Sequence, residues 1–177
     1  MIKKIFFLLF TLVVGVMGKD ALLLPTSFEA NFKQTITSDK GKKIHYSGSL
    51  LFSSPNHFKW SYNAPTKKEV CSNSSELLVV DHDLEQISTY LLESKFNLIK
   101  ILSKAKLYKE LIYVAKHNDK NYTIGLNSKK QLQSVVYKDD LDNTVVIVFS
   151  KITYKNSKIK ASKLKCNYPV HYDEIRG

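Results

Sequence analysis

The side chains of this 177-residue chain that could support catalysis or metal binding are five histidines, two cysteines and two acidic clusters. His45, His57, His82, His117 and His171 are scattered, and no pair has metal-ligand spacing. Asp81-His82-Asp83 has the residue types for acid–base or metal chemistry, but it falls between two strand-like stretches and reads as a polar turn. Asp139-Asp140-Leu141-Asp142-Asn143 lacks the glycine and closing glutamate of a calcium loop, so it reads as a hairpin tip. The chain has no G-x-S-x-G, no glycine-rich phosphate loop and no C-x-x-C. An enzyme is therefore not expected, and neither is a catalytic residue, a metal or a cofactor.

What stands out instead is apolar. From Tyr46 to Pro65 the large side chains fall on alternate residues: Tyr46, Leu50 and Phe52, then Phe58, Trp60 (the sole tryptophan) and Tyr62. Period-2 alternation puts these on one face of a β-hairpin, with Ser49, Ser53, Lys59 and Ser61 on the other. Pro55-Asn56 supplies the turn. An aromatic face of this density must be covered by core, lid or ligand, because exposed contiguous apolar surface invites association. An ordinary sheet core and a ligand-binding wall both fit the hairpin at this point.

The N-terminus bears on compartment. Lys3 and Lys4 precede an apolar run from Ile5 to Met17, and Val16-Met17-Gly18 offers a cleavage site after Gly18. Residues 1–18 read as a secretory signal peptide, since the run falls short of the roughly 20 residues that span a bilayer. Cleavage leaves 159 residues, read as one domain over 19–177, with 25 basic and 16 acidic side chains and a net charge of +9. The junction holds no cysteine, which argues against a lipid anchor. Over the full chain the basic residues are 26 lysines and one arginine, Arg176. Nucleic-acid readers lean on arginine for bidentate contacts, so the lysine bias, together with the export signal, argues against a nucleic-acid partner. A soluble exported monomer is the expectation. Cys71 and Cys166 would meet an oxidising compartment. A bond between them would close a loop of nearly a hundred residues and contribute about 4–5 kcal/mol by chain entropy, but two separate thiols remain equally open.

The elements that position these residues follow from periodicity. Strands are expected at Ser27–Thr37, Lys43–Ser53, Phe58–Asn63, Lys67–Ser72, Glu76–Asp81 and Gln86–Leu91. The period changes over Lys95–Lys106, where Leu98, Ile99, Ile101, Leu102 and Ala105 recur at helical spacing. Strands resume at Leu107–Lys116, Lys120–Asn127, Leu132–Lys138, Thr144–Lys155 and Lys163–Tyr168. Short strands joined by tight turns imply an antiparallel sheet. With so little helix to cover a face, the sheet must curl toward a barrel. The expected fold class is mainly β (α+β): a single curved antiparallel sheet forming an incomplete barrel with a short helical lid.

The stretch G-S-L-L-F-S-S-P-N-H-F-K-W-S-Y-N-A-P resembles the G-x-L … R-P … F-x-W … P hairpin of the LolA family, the periplasmic carriers of outer-membrane lipoproteins. Ser27–Thr35 looks like the family's F-x-A-x-F-x-Q first strand, and Asp81–Gln86 is similar to its Y-[DN]-P-x-x-x-Q element. Leu164–Tyr172, with Pro169, occupies the place of its F-x-F-x-x-P-x-G segment. The resemblance implies a half-barrel with helices over its mouth, enclosing an apolar cavity for lipoprotein acyl chains. It also implies a periplasmic location, acceptance of cargo from an inner-membrane ABC transporter and delivery to an outer-membrane acceptor. On it, Phe58 and Trp60 should line the cavity, with Leu50, Phe52 and Tyr62 joining them by strand parity. Leu98, Ile101 and Leu102 should form the inner face of the lid.

Two departures accompany it. The family carries a basic residue before the hairpin proline that takes part in closing the lid; here Ser54 stands there. The family's N-terminal helix is reduced to Lys19–Thr26, interrupted by Pro25. A carrier of free lipids, or a non-enzymatic protein-binding module on the same fold, are the competing readings. An empty, filled-in core would favour the last.

Overall fold

The structure is a computed structural model that describes residues 22–73, 75–91 and 98–176. The leader predicted at 1–18 and residues 95–97 of the predicted helix lie outside those residues. The element order is β1 (Ser27–Thr37), β2 (Lys43–Ser53), β3 (His57–Ala64), β4 (Lys68–Asn73), β5 (Glu76–Asp81), β6 (Gln86–Leu91), α1 (Leu98–Ser103), β7 (Lys106–Lys109), β8 (Ile112–His117), β9 (Lys120–Leu126), β10 (Leu132–Lys138), β11 (Thr144–Lys155), α2 (Ala161–Leu164) and β12 (Asp173–Arg176). The strands form one open curved sheet in the order β12-β6-β5-β4-β3-β2-β1-β11-β10-β9-β8-β7. Two meanders, β1–β6 and β7–β11, meet where β11 pairs with β1 from Ser27↔Lys155 to Thr37↔Thr144. The short helix α1 is the link between them in sequence.

Three expectations are corrected. Leu107–Lys116 is not one strand: Leu111 adopts a φ of 59° and breaks it into β7 and β8. The helix expected to run to Lys106 ends at Ser103, and the N–H groups of Lys104 and Ala105 fold back onto the Ile101 and Leu102 carbonyls. Lys163–Tyr168 is not a strand; α2 and a coil take its place, and the terminal strand β12 lies beyond it, parallel to β6. That stretch is held by contacts distant in sequence, which local alternation does not register.

Those contacts make residues 156–172 a strap across the convex side of β3–β6. Cys71 on β4 and Cys166 are joined in a disulfide with Cα atoms 5.8 Å apart, so the pairing left open by the sequence is formed. Lys59 bridges Glu69 at 2.8 Å and donates to the Lys165 carbonyl, while the Asn167 N–H donates to Glu69. Val80, Ile87 and Leu164 are also buried, outside the main core cluster. A hollow of about 390 Å³ remains beneath the strap, lined in part by His57, Leu78, Leu164 and Tyr168.

Curvature has local causes on the strands that carry the aromatic face. Between Glu29↔Thr153 and Asn31↔Ser150 the ladder gains one residue on β11, where Lys151 has a φ of 50°. Between Ser47↔Ala64 and Gly48↔Tyr62 it gains one on β3. Bulges of this kind bend the strand and raise its twist. Gly48 stands at the second of these shifts. A Cβ there would lie 1.9 Å from the Ser61 carbonyl oxygen and 2.9 Å from the Phe32 ring. The missing side chain is the space into which the sheet folds and Phe32 packs. Gly48→Ala is expected to destabilise the protein by about 1–3 kcal/mol through overpacking. Urea unfolding of the two proteins checks this, and equal midpoints contradict it.

Candidate functional site

The concave face can be read as rows of side chains across paired strands. Tyr154, Phe28, Phe52 and Phe58 form one row through the registers Phe28↔Tyr154, Phe28↔Phe52 and Phe52↔Phe58. Ala30, Leu50, Trp60 and Val70 form the next. Phe149, Phe32, Gly48 and Tyr62 form the third. The Phe32 ring meets Trp60 at 4.9 Å and Tyr62 at 5.0 Å, both edge-on, the geometry that aromatic quadrupoles favour.

The sequence-derived wall is thus assembled in one place. Leu50, Phe52, Phe58 and Trp60 are at most 6% exposed, and Tyr62 packs against them half-buried. The lid residues join the same cluster, with Leu98 at 2% and Ile101 and Leu102 at 0% exposure. So α1 lies with its apolar side chains in the core that also contains the concave face, and it presents no exposed apolar stripe. The helix has six residues, four of them buried, which leaves Lys100 and Ser103 as its polar positions. A helix this short gains little from its own hydrogen bonds and is held by its packing.

At one end of the concavity the lining becomes phenolic. Tyr46 contacts Tyr62 at 5.9 Å, and Tyr122 contacts Tyr137 at 5.1 Å. The Tyr62 hydroxyl donates to Gln34 Oε1 at 3.2 Å. Burial, with a smaller contribution from Tyr46, pushes the Tyr62 phenol up to about 12, and burial also raises Tyr122 and Tyr137. These rings therefore stay neutral at physiological pH. Sequence parity found Tyr46 and Tyr62. It missed Tyr122 and Tyr137, which lie on the other meander and come near only because β11 pairs with β1.

The acidic clusters serve turns. Asp81 Oδ1 accepts the N–H groups of Asp83 and Leu84, and Oδ2 lies 2.9 Å from Lys68 Nζ. Partial burial pushes its pKa up, but the Lys68 bond and the turn N–H groups outweigh this and hold it low. Asp139 Oδ1 likewise accepts from Leu141 and Asn143 across the β10–β11 tip. Glu69, Cys71 and Cys166 lie close together, but the two sulfurs are bonded to each other and Glu69 is engaged by Lys59. Ser54, in the place of the family's basic residue, uses its backbone N–H to hold the Thr26 carbonyl at 2.8 Å. That contact fixes the N-terminal segment, whose Leu22 and Leu24 pack on the core. No helix among the described residues is long and apolar enough to cross a membrane.

Comparisons with known proteins converge. A family model described as "Outer membrane lipoprotein carrier protein LolA" matches residues 25–110. An outer-membrane lipoprotein carrier protein of Campylobacter jejuni is 37% identical over 174 residues, covering 98% of this chain and 99% of its own. One from Wolinella succinogenes is 32% identical over 133 residues, covering 75% and 74%. Among solved structures, a LolA superfamily protein of Nitrosomonas europaea superposes with a TM-score of 0.51 at 10% identity, covering 82% of this chain and 93% of that one. At that identity the likeness shows the fold alone.

The Tyr62 phenol yields a pH prediction. Its pKa moves from 10.0 to about 12 on folding, so the folded state holds the proton more tightly. The stability tied to this is intact below pH 10 and is lost as the pH rises toward 12. Tyr62→Phe should flatten that alkaline loss while costing about 1 kcal/mol at pH 7 for the Gln34 bond. Urea unfolding at pH 7 and pH 11 measures both, and an unchanged alkaline slope contradicts the assignment.

Proposed function

This chain belongs to the LolA family of outer membrane lipoprotein carrier proteins, and from that membership we propose that it shelters lipoprotein acyl chains against its concave aromatic face. The observation that carries the reading is the union of that face with α1 in one buried cluster. In this reading α1 occupies, in the empty carrier, the place that the cargo takes when loaded. Leu50, Phe52, Phe58, Trp60 and Tyr62 form the wall, and Leu98, Ile101 and Leu102 are the lid side chains that withdraw.

Magnitudes support such an exchange. Withdrawing α1, whose Leu98, Ile101 and Leu102 are accompanied by the buried Ile99, costs on the order of 6–12 kcal/mol, whereas each CH₂ of an entering acyl chain recovers about 0.8 kcal/mol. One long chain roughly balances the lid, and a second or third favours the loaded state. Transfer is then reversible without nucleotide hydrolysis by this protein, which acts as a carrier and not as an enzyme. Its contacts with cargo are apolar and tolerate varied protein sequences beyond the lipid.

The same reading places a leader at 1–18 and the carrier domain at 19–177, working in the periplasm. Cargo would arrive from an inner-membrane ABC transporter and leave to an outer-membrane acceptor. With Ser54 holding Thr26 through backbone atoms alone, closure here rests on apolar packing of α1 and not on a guanidinium.

Two measurements test it. Trp60 emission should shift when a triacylated lipopeptide is added, and the purified protein should release lipoproteins from spheroplasts. Phe58→Glu should abolish release while circular dichroism shows a folded sheet. Release by that variant at the normal level, or binding of phospholipid with no lipoprotein released, contradicts the reading.

A further inference from the structure

His117 is the concave-side residue at the end of β8, two residues beyond Ala115 of the row Ala115–Tyr122–Tyr137. It is 5% exposed, and Lys104, just past the end of α1, places Nζ 3.5 Å from its Nδ1. A lysine ammonium can only donate, so Nδ1 accepts and the proton of the neutral ring sits on Nε2. Desolvation, then Lys104 and Lys100, lower the pKa of this ring, in keeping with a neutral imidazole. Nε2 itself is buried with no hydrogen-bond partner among the described residues. A buried donor left without an acceptor is costly, and native proteins rarely keep one without use.

We propose that His117 Nε2–H is the hydrogen-bond donor that receives the carbonyl of an acyl ester when cargo replaces α1. This rests on the carrier reading above and names the one polar anchor within it. Acyl chains are joined to their headgroup through carbonyls, which must lie where the apolar lining gives way to polar atoms. On this sheet that boundary is the phenolic row with His117 beyond it. The single contact with Lys104 ties the ring to the lid, so withdrawal of α1 uncovers the ring as the cavity opens. The donor then fixes how deep the chains sit, a task that apolar packing alone does not perform.

The test compares a diacylated lipopeptide carrying two ester-linked palmitoyl chains with its ether-linked counterpart, which keeps the chains and lacks the carbonyls. The wild-type protein should bind the ester form about tenfold more tightly, the size of one hydrogen bond. His117→Leu should bind the two forms equally, and His117→Gln, which retains an N–H donor, should keep part of the preference. The same ester-to-ether ratio in wild type and His117→Leu overturns the proposal and leaves the carrier reading standing. Failure of both lipopeptides to bind the wild-type protein overturns the carrier reading as well. Independently of the variants, the ¹⁵N resonance of His117 Nε2 in the wild-type protein should move with the ester ligand and not with the ether. Equal movement with both also overturns the proposal.

Discussion

The concave face of this sheet cannot be left to water, and nearly every other feature serves that constraint. Three rows of aromatic and aliphatic side chains on β1, β2, β3, β4 and β11 converge on it, and Phe28, Phe32, Leu50 and Phe52 are at most 2% exposed. Secondary structure alone does not hide such a surface. A flat sheet would expose it, so the bulges at β11 and β3 and the gap at Gly48 bend the strands inward. The buried side chains of α1 join the same cluster. Its side chains are spent on the interior, and little else holds a six-residue helix in place.

The convex side answers a different need. A wide open sheet anchored on one face only would be free to flatten. The strap over β3–β6 fixes the back of the curved half through the Cys71–Cys166 bond, the Lys59–Glu69 pair and the parallel strand β12. By the loop length it closes, the disulfide contributes about 4–5 kcal/mol, independent of what occupies the concavity. Rigidity thus backs the wall from the convex side, while the short helix that packing alone retains covers the concave side. That division suits the proposed exchange, in which the interior is vacated and refilled while the frame persists.

Much of this was legible in the chain. Alternation located β1, β2, β5, β6, β10 and β11 with their bounds, because each buries one face and exposes the other. It also gathered Leu50, Phe52, Phe58, Trp60 and Tyr62 correctly, since strand parity is a local property. The split of β7 from β8 was hidden because Leu111, an unremarkable residue for a turn, takes the left-handed conformation there. Lys163–Tyr168 of the strap read as a strand because its lysines alternate by chance, whereas Cys166 is placed by a partner 95 residues away. Tyr122, Tyr137 and His117 were invisible for the same reason: they belong to a meander brought alongside only by the β1–β11 pairing. The family resemblance held, while the basic lid residue of the family has no counterpart at Ser54.

At the centre of the proposed mechanism, α1 and cargo compete for one surface. Amide hydrogen exchange with and without a triacylated lipopeptide tests this most directly. The amides of Leu98–Ser103 should lose protection when the lipopeptide binds, while those of β1, β2 and β11 keep theirs. Bound lipopeptide with α1 as protected as before would contradict the competition.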